Sequence, residues 1–173
     1  LAGFTTSSVN AKIGQALVPN GAASMATFSV TPDVSDFTYA FWHRPISNTN
    51  VGAFFFNKIP NTQSLGFQWG ANYYFYYDNG YTLFSNSGIP LNTYHLFTLT
   101  VKNGFATMYI NAQKVSSLQT PGSTYSFDNF GYNGYSTFLN GEIDILSIWN
   151  RALTLEEIKI YYNNGQGIQY PFR

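Results

Sequence analysis

The chain has 173 residues, of which 19% are aromatic and 9% are charged, and its formal net charge is zero. Proteins that track nucleic-acid phosphates need clustered Lys and Arg, and eight such residues spread along the chain form no basic block. The longest apolar stretches, such as residues 51–56, are far shorter than the roughly 20 residues that cross a bilayer. The sequence therefore predicts no nucleic-acid partner and no membrane span.

Turn residues divide the chain into short segments, as in antiparallel β proteins. Asp78-Asn79-Gly80 and Lys102-Asn103-Gly104 accept the positive φ angles of tight hairpins, and Pro45 is expected to end an earlier strand. The predicted strands cover residues 38–44, 65–69, 73–78, 94–101, 105–110 and 142–149. No linker or repeat interrupts them, so we expect one all-β domain over residues 1–173. Its start at Leu1 suggests a processed form or an excised domain.

One segment near the C-terminus departs from the strand pattern. Thr154 and Glu157 have the spacing of a capping box, in which each side chain covers the other residue's unpaired backbone N–H. Leu153 and Ile158 are spaced for the accompanying hydrophobic staple, and Gly165 can supply the left-handed stop. These signals predict a short helix over residues 154–163.

Five segments carry a resemblance to a known family. The longest, residues 138–158, reads FLNGEIDILSIWNRALTLEEI, where a Gly-x-Ile-Asp strand leads into an Asn-Arg-Ala-Leu segment and a capped helix. The other four are Ile13–Leu17, Tyr39–Pro45, Asn92–Val101 and Met108–Asn111. In this order they resemble laminin-G-like and pentraxin-like jelly rolls of the concanavalin A-like family. The resemblance implies a two-sheet antiparallel jelly-roll sandwich with one short C-terminal helix.

The resemblance implies less about function, because such relatives include lectins, adhesion modules, sialidase appendages and structural domains. Tyr94 replaces the family's usual Trp, and Asn111-Ala112 replaces its usual Asp-Gly turn. Pentraxins hold calcium with an acidic cluster before the closing strand, where residues 127–132 offer one carboxylate. We expect no cofactor, although loop oxygens could bind calcium. The calcium candidates are Asp33, Asp36, Asp78 and Asp128, and solvated loop acids are the alternative.

The strongest catalytic signal is Glu142-Ile143-Asp144, which resembles the carboxylate strand of family-16 glycoside hydrolases. Residues i and i+2 share a face, and retaining hydrolysis needs two carboxylates about 5 Å apart. The position for the acid/base holds Leu146 or Ser147, and neither can do that work. His43 and His95 are the sole candidates for a triad base, and no Gly-x-Ser-x-Gly elbow accompanies them. We therefore predict that the chain is not an enzyme.

Alternating residues in the hairpin at 65–78 suggest a different kind of site. The expected core set is Leu65, Phe67, Trp69, Tyr73, Phe75 and Tyr77, which leaves Gln68, Tyr74 and Tyr76 to face solvent or a ligand. Tyr rings stack on the apolar face of a pyranose while amides fix its orientation. Tyr132, Asn133 and Tyr135 could extend this candidate glycan platform. The alternative is that these aromatics are core or lie at a protein–protein contact.

The sequence thus favours a non-catalytic recognition or adhesion module that binds a glycan or surface glycoprotein. The expected location is extracellular, on a cell surface or on a virion. The first alternative is a structural subunit or decoration domain of an extracellular appendage or virion, with aromatics buried by neighbouring subunits. The second alternative is a glycoside hydrolase-like enzyme.

Overall fold

The computed structural model describes residues 4–9, 11–19, 25–27, 35–46, 52–55, 65–69, 73–77, 81–85, 88–119, 129–131 and 141–168. The first strands are β1 (Phe4–Ser7), β2 (Ala16–Pro19), β3 (Met25–Thr27), β4 (Phe37–Pro45), β5 (Gly52–Phe55), β6 (Leu65–Trp69) and β7 (Tyr73–Tyr77). They are followed by β8 (Tyr81–Ser85), β9 (His95–Lys102), β10 (Phe105–Ile110), β11 (Gln113–Gln119), β12 (Asn129–Gly131) and β13 (Gly141–Trp149). A helix, α1 (Leu155–Tyr162), and a 3-10 turn at Asn163–Gly165 complete the order.

These strands form two antiparallel sheets. The seven-stranded sheet has the order β1-β2-β13-β4-β9-β10-β11, and the six-stranded sheet has the order β3-β12-β5-β6-β7-β8. The predicted hairpins are present, since β6 pairs with β7, β7 with β8 and β9 with β10. The all-β, two-sheet jelly-roll prediction with one short C-terminal helix is confirmed.

The centre of the seven-stranded sheet is buried on both faces. On one face Trp42 of β4 packs with Leu96 of β9 and Tyr161 of α1. On the other face Phe41 stacks on its cross-strand partner Phe97, with ring centroids 5.7 Å apart. Successive residues of a strand point to opposite faces, so the helix covers one face and aromatic rings fill the other. This explains why eight of the nine residues of β4 are buried.

Two turns in this sheet follow the conformations that their residues prefer. Asn103 and Gly104 join β9 to β10 with φ angles of 49° and 74°, as the Asn-Gly signal predicts. Asn111 and Ala112 join β10 to β11, also with positive φ. Ala112 lies in the left-handed region that residues with a Cβ avoid, yet it is buried against Leu153. The family's Asp-Gly turn is therefore replaced by one in which a buried methyl group offsets backbone strain.

The helix begins and ends as the sequence predicts, since Thr154 and Asn163 are its two capping residues. Thr154 caps it, and the reciprocal contacts with Glu157 form the capping box. The expected staple is also present, because Leu153 and Ile158 share one apolar cluster. The left-handed residue at the C-terminus is Asn163, with φ of 46°, while Gly165 closes the following 3-10 turn. Among the described helices, none is long and apolar enough to cross a membrane.

Candidate functional site

The backbone register of the six-stranded sheet groups the predicted platform positions. Gln68 of β6 pairs directly with Tyr74 of β7, and Gly66 pairs with Tyr76. Directly opposed residues and residues two apart share one face of a sheet. Positions 68, 74 and 76 therefore belong to the same face, in agreement with the alternation in the sequence.

A second row of pairings runs across the same sheet from β7 to β12. Gly131, the last residue of β12, pairs with Phe55, Phe55 pairs with Gly66, and Gly66 pairs with Tyr76. Three strand spacings of about 4.8 Å separate Gly131 from Tyr76, or roughly 14 Å. Tyr132, Asn133 and Tyr135 lie outside the described residues.

The two carboxylates of the Glu142-x-Asp144 strand are engaged in structural contacts. Glu142 is 7% exposed, lies 3.1 Å from the Arg44 guanidinium and accepts a hydrogen bond of 3.2 Å from the Tyr94 hydroxyl. Asp144 accepts backbone N–H groups from Ile13 and Ile145, both at 2.8 Å. Burial raises the pKa of Asp144 despite these hydrogen bonds, and the pKa of Tyr94 is raised by burial and by the Glu142 charge. Through Asp144, strand β13 is therefore hydrogen-bonded to the segment at 11–13.

A β-bulge separates these carboxylates from Ser147. The register of β13 against β4 shifts between Asp144 and Ser147, and Ile145 has a φ of 49°. The Ser147 hydroxyl lies 2.9 Å from the Tyr161 hydroxyl, which in turn donates to the Ile145 carbonyl. Ser147 therefore anchors α1 to the sheet at the position where a family-16 hydrolase would carry its acid/base.

Both histidines have structural surroundings. His43 is fully buried, its Nδ1 lies 3.1 Å from the Glu142 carbonyl oxygen, and burial lowers its pKa to about 3. His95 contacts the Pro90 carbonyl through Nε2 and the Asn111 side-chain amide through Nδ1, each at 3.1 Å. Burial also lowers the pKa of His95. The two His95 contacts join the loop before β9 to the turn after β10.

Of the four calcium candidates, only Asp36 lies among the described residues. Asp36 accepts the backbone N–H of Asn103 at 2.9 Å and thereby caps the β9–β10 turn. Asp33, Asp78 and Asp128 lie outside the described residues. Within the described part of the chain, no group of three or more His, Cys, Asp or Glu side chains is placed to hold a metal ion.

The structure also contains a cleft that the sequence did not predict. It has a volume of about 500 Å³ and opens on the helix-covered side of the seven-stranded sheet. Its walls come from five segments that are distant in sequence, so no local pattern marks it. The lining residues are Ala11, Lys12, Arg44, Asn92, Thr93, Tyr94, His95, Asn111, Tyr162 and Gly165.

One wall of this cleft is fixed by the buried indole of Trp42. The Lys12 ammonium lies 4.8 Å from the centroid of that ring, and Tyr162 stacks on it at 5.8 Å with an interplanar angle of 17°. Gly167 approaches the indole so closely that an added Cβ would lie 3.3 Å from Nε1. Its φ of 71° also favours glycine. The packing of Lys12 and Tyr162 on Trp42 thus sets the shape of the wall.

Comparison with solved structures shows the same architecture in three proteins. A heptameric pentraxin from Limulus polyphemus has a TM-score of 0.67 and 16% identity, and the alignment covers 84% of this chain and 77% of that one. Domain 4 of the arabinanase AbnA from Geobacillus stearothermophilus has a TM-score of 0.69 and 23% identity, covering 91% and 80%. The CBM40 of a Ruminococcus gnavus IT-sialidase has a TM-score of 0.58 and 11% identity, covering 79% and 95%. At these identities the likeness is one of fold.

The sequence comparisons identify the family. A search of curated proteins returned no match. The profile of the family Laminin_G_3, described as the concanavalin A-like lectin/glucanases superfamily, matches residues 19–159. This match spans most of the chain and includes the closing strand and the capped helix. The chain belongs to the Laminin_G_3 family of the concanavalin A-like lectin/glucanases superfamily.

Proposed function

We propose that the chain is a non-catalytic carbohydrate-binding module that acts outside the cell, at a cell or particle surface. The observation that carries this proposal is the register of β6 and β7. It assigns Gln68, Tyr74 and Tyr76 to one face of the six-stranded sheet. Two neighbouring Tyr residues and an amide are the groups that stack on and orient a sugar ring.

The sequence pattern on the two faces supports this choice of face. The positions on the opposite face include Leu65, Phe67, Trp69, Phe75 and Leu83, a set suited to the interior of a sandwich. The register also places Phe55 and Phe84 on the platform face, where they add aromatic positions beside Gly66 and Tyr74. Gly66, the direct partner of Tyr76, leaves the neighbouring position without a side chain. A ring-shaped ligand would therefore meet Tyr76 beside a glycine rather than beside another large residue.

Two of the structurally similar proteins were solved with sugars. The arabinanase domain is in complex with arabinotriose, and the CBM40 is bound to α2,3-sialyllactose. Both sugars are therefore sensible first probes.

The non-catalytic part of the proposal rests on the contacts of the two carboxylates. Glu142 pairs with Arg44 and accepts a hydrogen bond from Tyr94, and Asp144 accepts a hydrogen bond from a backbone amide.

The test compares three variants by calorimetric titration and amide chemical-shift mapping with these two sugars and with glycan-array hits. Tyr76→Ala should weaken binding at least tenfold, since an aromatic anchor contributes on the order of 2 kcal/mol. Tyr76→Phe, which keeps the ring, should stay within threefold of the parent. Phe105→Ala is the matched control, because Phe105 is a 52% exposed ring on the other sheet and should have no effect.

Thermal unfolding separates a binding role from a core role. The platform proposal requires the Tyr76 side chain to face solvent or ligand, where it would contribute little to stability, so Tyr76→Ala should leave Tm nearly unchanged. If Tyr76→Ala instead lowers Tm by several degrees and the parent binds no glycan, the platform proposal is wrong. A structural subunit whose aromatics contact neighbouring subunits would then be the better account, and concentration-dependent association in size-exclusion chromatography would support it.

A further inference from the structure

The cleft beside Trp42 has no role in the function proposed above. It lies between the segment at 11–13, the end of β4, the residues before β9 and the turn after α1. Its volume of about 500 Å³ falls within the range of about 300–1,000 Å³ that is typical of small-molecule sites. The cleft is therefore large enough to hold one sugar-sized ring together with its substituents.

The cleft carries one cation without an acidic partner. Arg44 and Lys12 both line it, but Arg44 is paired with Glu142 at 3.1 Å. In the described part of the chain the other ion pairs join Arg151 with Glu157 and Lys159 with Glu156, and Lys12 forms none. The Lys12 ammonium instead rests against the Trp42 ring, and partial burial lowers its pKa. A partly buried ammonium without an acidic partner attracts an anionic group.

Asp144 does not neutralise Lys12 by direct contact. Its carboxylate accepts the backbone N–H groups of Ile13 and Ile145 at 2.8 Å and also a backbone hydrogen bond from Lys12. Among the described residues no ion pair joins this carboxylate to the Lys12 ammonium. The carboxylates of Glu142 and Asp144 are therefore engaged with other groups, and the Lys12 side chain keeps its charge unpaired.

The remaining lining groups suit a hydroxylated ring more than a bare ion. The Asn111 side chain is fixed in the wall, since its Oδ1 accepts the Leu96 N–H at 2.9 Å and its Nδ2 contacts His95 at 3.1 Å. Asn92 and Thr93 add an amide and a hydroxyl, and Tyr162 adds an aromatic ring. Amides and hydroxyls beside an aromatic ring are the usual components of a saccharide site.

We propose that this cleft binds a saccharide unit that carries a carboxylate, with the carboxylate beside Lys12 and the ring against Tyr162. A single partly exposed ammonium holds a free anion weakly, because solvent and salt screen it. Affinity then requires the ring contacts as well as the charge. The site is on the other sheet from the β6–β7 platform, so either proposal can fail without the other.

The test is an amide chemical-shift titration of the isotopically labelled protein with three probes at low salt. Methyl β-D-glucuronide carries both features, methyl β-D-glucoside has the ring without the carboxylate, and sodium acetate has the carboxylate without the ring. The glucuronide should bind at least tenfold more tightly than the glucoside, and acetate should give no saturable shifts at the same concentration. The shifted amides should lie at residues 92–95 and 162–165, not in β6 or β7.

Three variants separate charge from structure. Lys12→Gln should weaken glucuronide binding about tenfold, whereas Lys12→Arg, which retains a cation, should stay within threefold of the parent. Lys114→Gln removes an exposed lysine of β11 and should have no effect. The proposal is overturned if glucoside or acetate binds as tightly as glucuronide, if no probe shifts these amides, or if Lys12→Gln binds like the parent. Shifts confined to β6 and β7 would refute the cleft and leave the platform standing.

Discussion

Replacing Thr38 with Val should destabilise the fold by removing one hydroxyl that joins β4 to the segment before α1. Thr38 is fully buried. Its hydroxyl donates to the Arg151 carbonyl at 2.9 Å and accepts the backbone N–H of Leu153 at 2.7 Å. Valine has nearly the same shape but can neither donate nor accept. Thr38→Val therefore tests this link with little change in packing volume.

The expected loss follows from the two backbone groups left behind. A buried group without its partner costs about 1–3 kcal/mol, and the Leu153 N–H is buried. The Arg151 carbonyl is only partly buried, so water can replace part of its bond. The added methyl group returns somewhat less than 1 kcal/mol of apolar burial. We expect a net loss of about 2–3 kcal/mol in the free energy of unfolding, or about 5–10 °C in Tm.

Urea unfolding followed by intrinsic fluorescence would measure this loss, with an unchanged m value as the check on two-state behaviour. Thr38→Ser is the matched control, because it keeps the hydroxyl and removes the methyl group, at a cost of about 1 kcal/mol. If Thr38→Val lies within about 0.5 kcal/mol of the parent, the hydroxyl does not hold the segment. A loss in Thr38→Ser equal to that in Thr38→Val would also contradict the reasoning.

Two further predictions concern buried titratable groups. His43 has a folded pKa of about 3 against about 6.5 in an unfolded chain, so the unfolded state binds more protons and stability should fall as pH decreases. For His43 alone the loss is about 2 kcal/mol between pH 7 and pH 5, and a flat urea-unfolding profile over that interval would contradict it. Glu142→Gln should lower stability by about 1–3 kcal/mol because it breaks the pair with Arg44. Reducing-sugar release from β-glucan that disappears in Glu142→Gln would instead show that the carboxylate is catalytic.

Local signals in the sequence were enough to predict six of the thirteen described strands and the helix. The capping box at Thr154 and Glu157 fixed the start of α1, and Asn103-Gly104 fixed a hairpin. Both depend on residues that are neighbours in the chain. The predicted end at residue 163 agrees with the structure, where Asn163 caps the helix in the left-handed conformation. Gly165, the expected left-handed stop, has a φ of 85°, but Asn163 and Asn164 already have positive φ before it. Asn is among the few other residues that visit this region, so the glycine was the stronger signal in the sequence and was not the first left-handed residue.

Features that depend on contacts between distant segments were not predictable in the same way. The bulge at Ile145 changes the register of β13 after Asp144, and no turn residue marks it. The cleft joins Lys12, Arg44 and Tyr162, which become neighbours only after the sheet forms and α1 packs on it. For the platform, alternation grouped the positions correctly, since the grouping needs only the period of a strand. Their ligand stays a prediction.

The segments that identify the family are those that hold the fold together. In the closing signature, Glu142 pairs with Arg44, Asp144 binds the Ile13 amide, and Arg151 forms a bidentate pair with Glu157 at the helix start. These residues are occupied by structural contacts, so a match to the signature carries information about architecture and little about ligand. We therefore expect specificity to reside where the signature does not reach, on the β6–β7 face and at the rim of the cleft. Substitutions there should change which ligand is bound, whereas substitutions in the signature should change stability first.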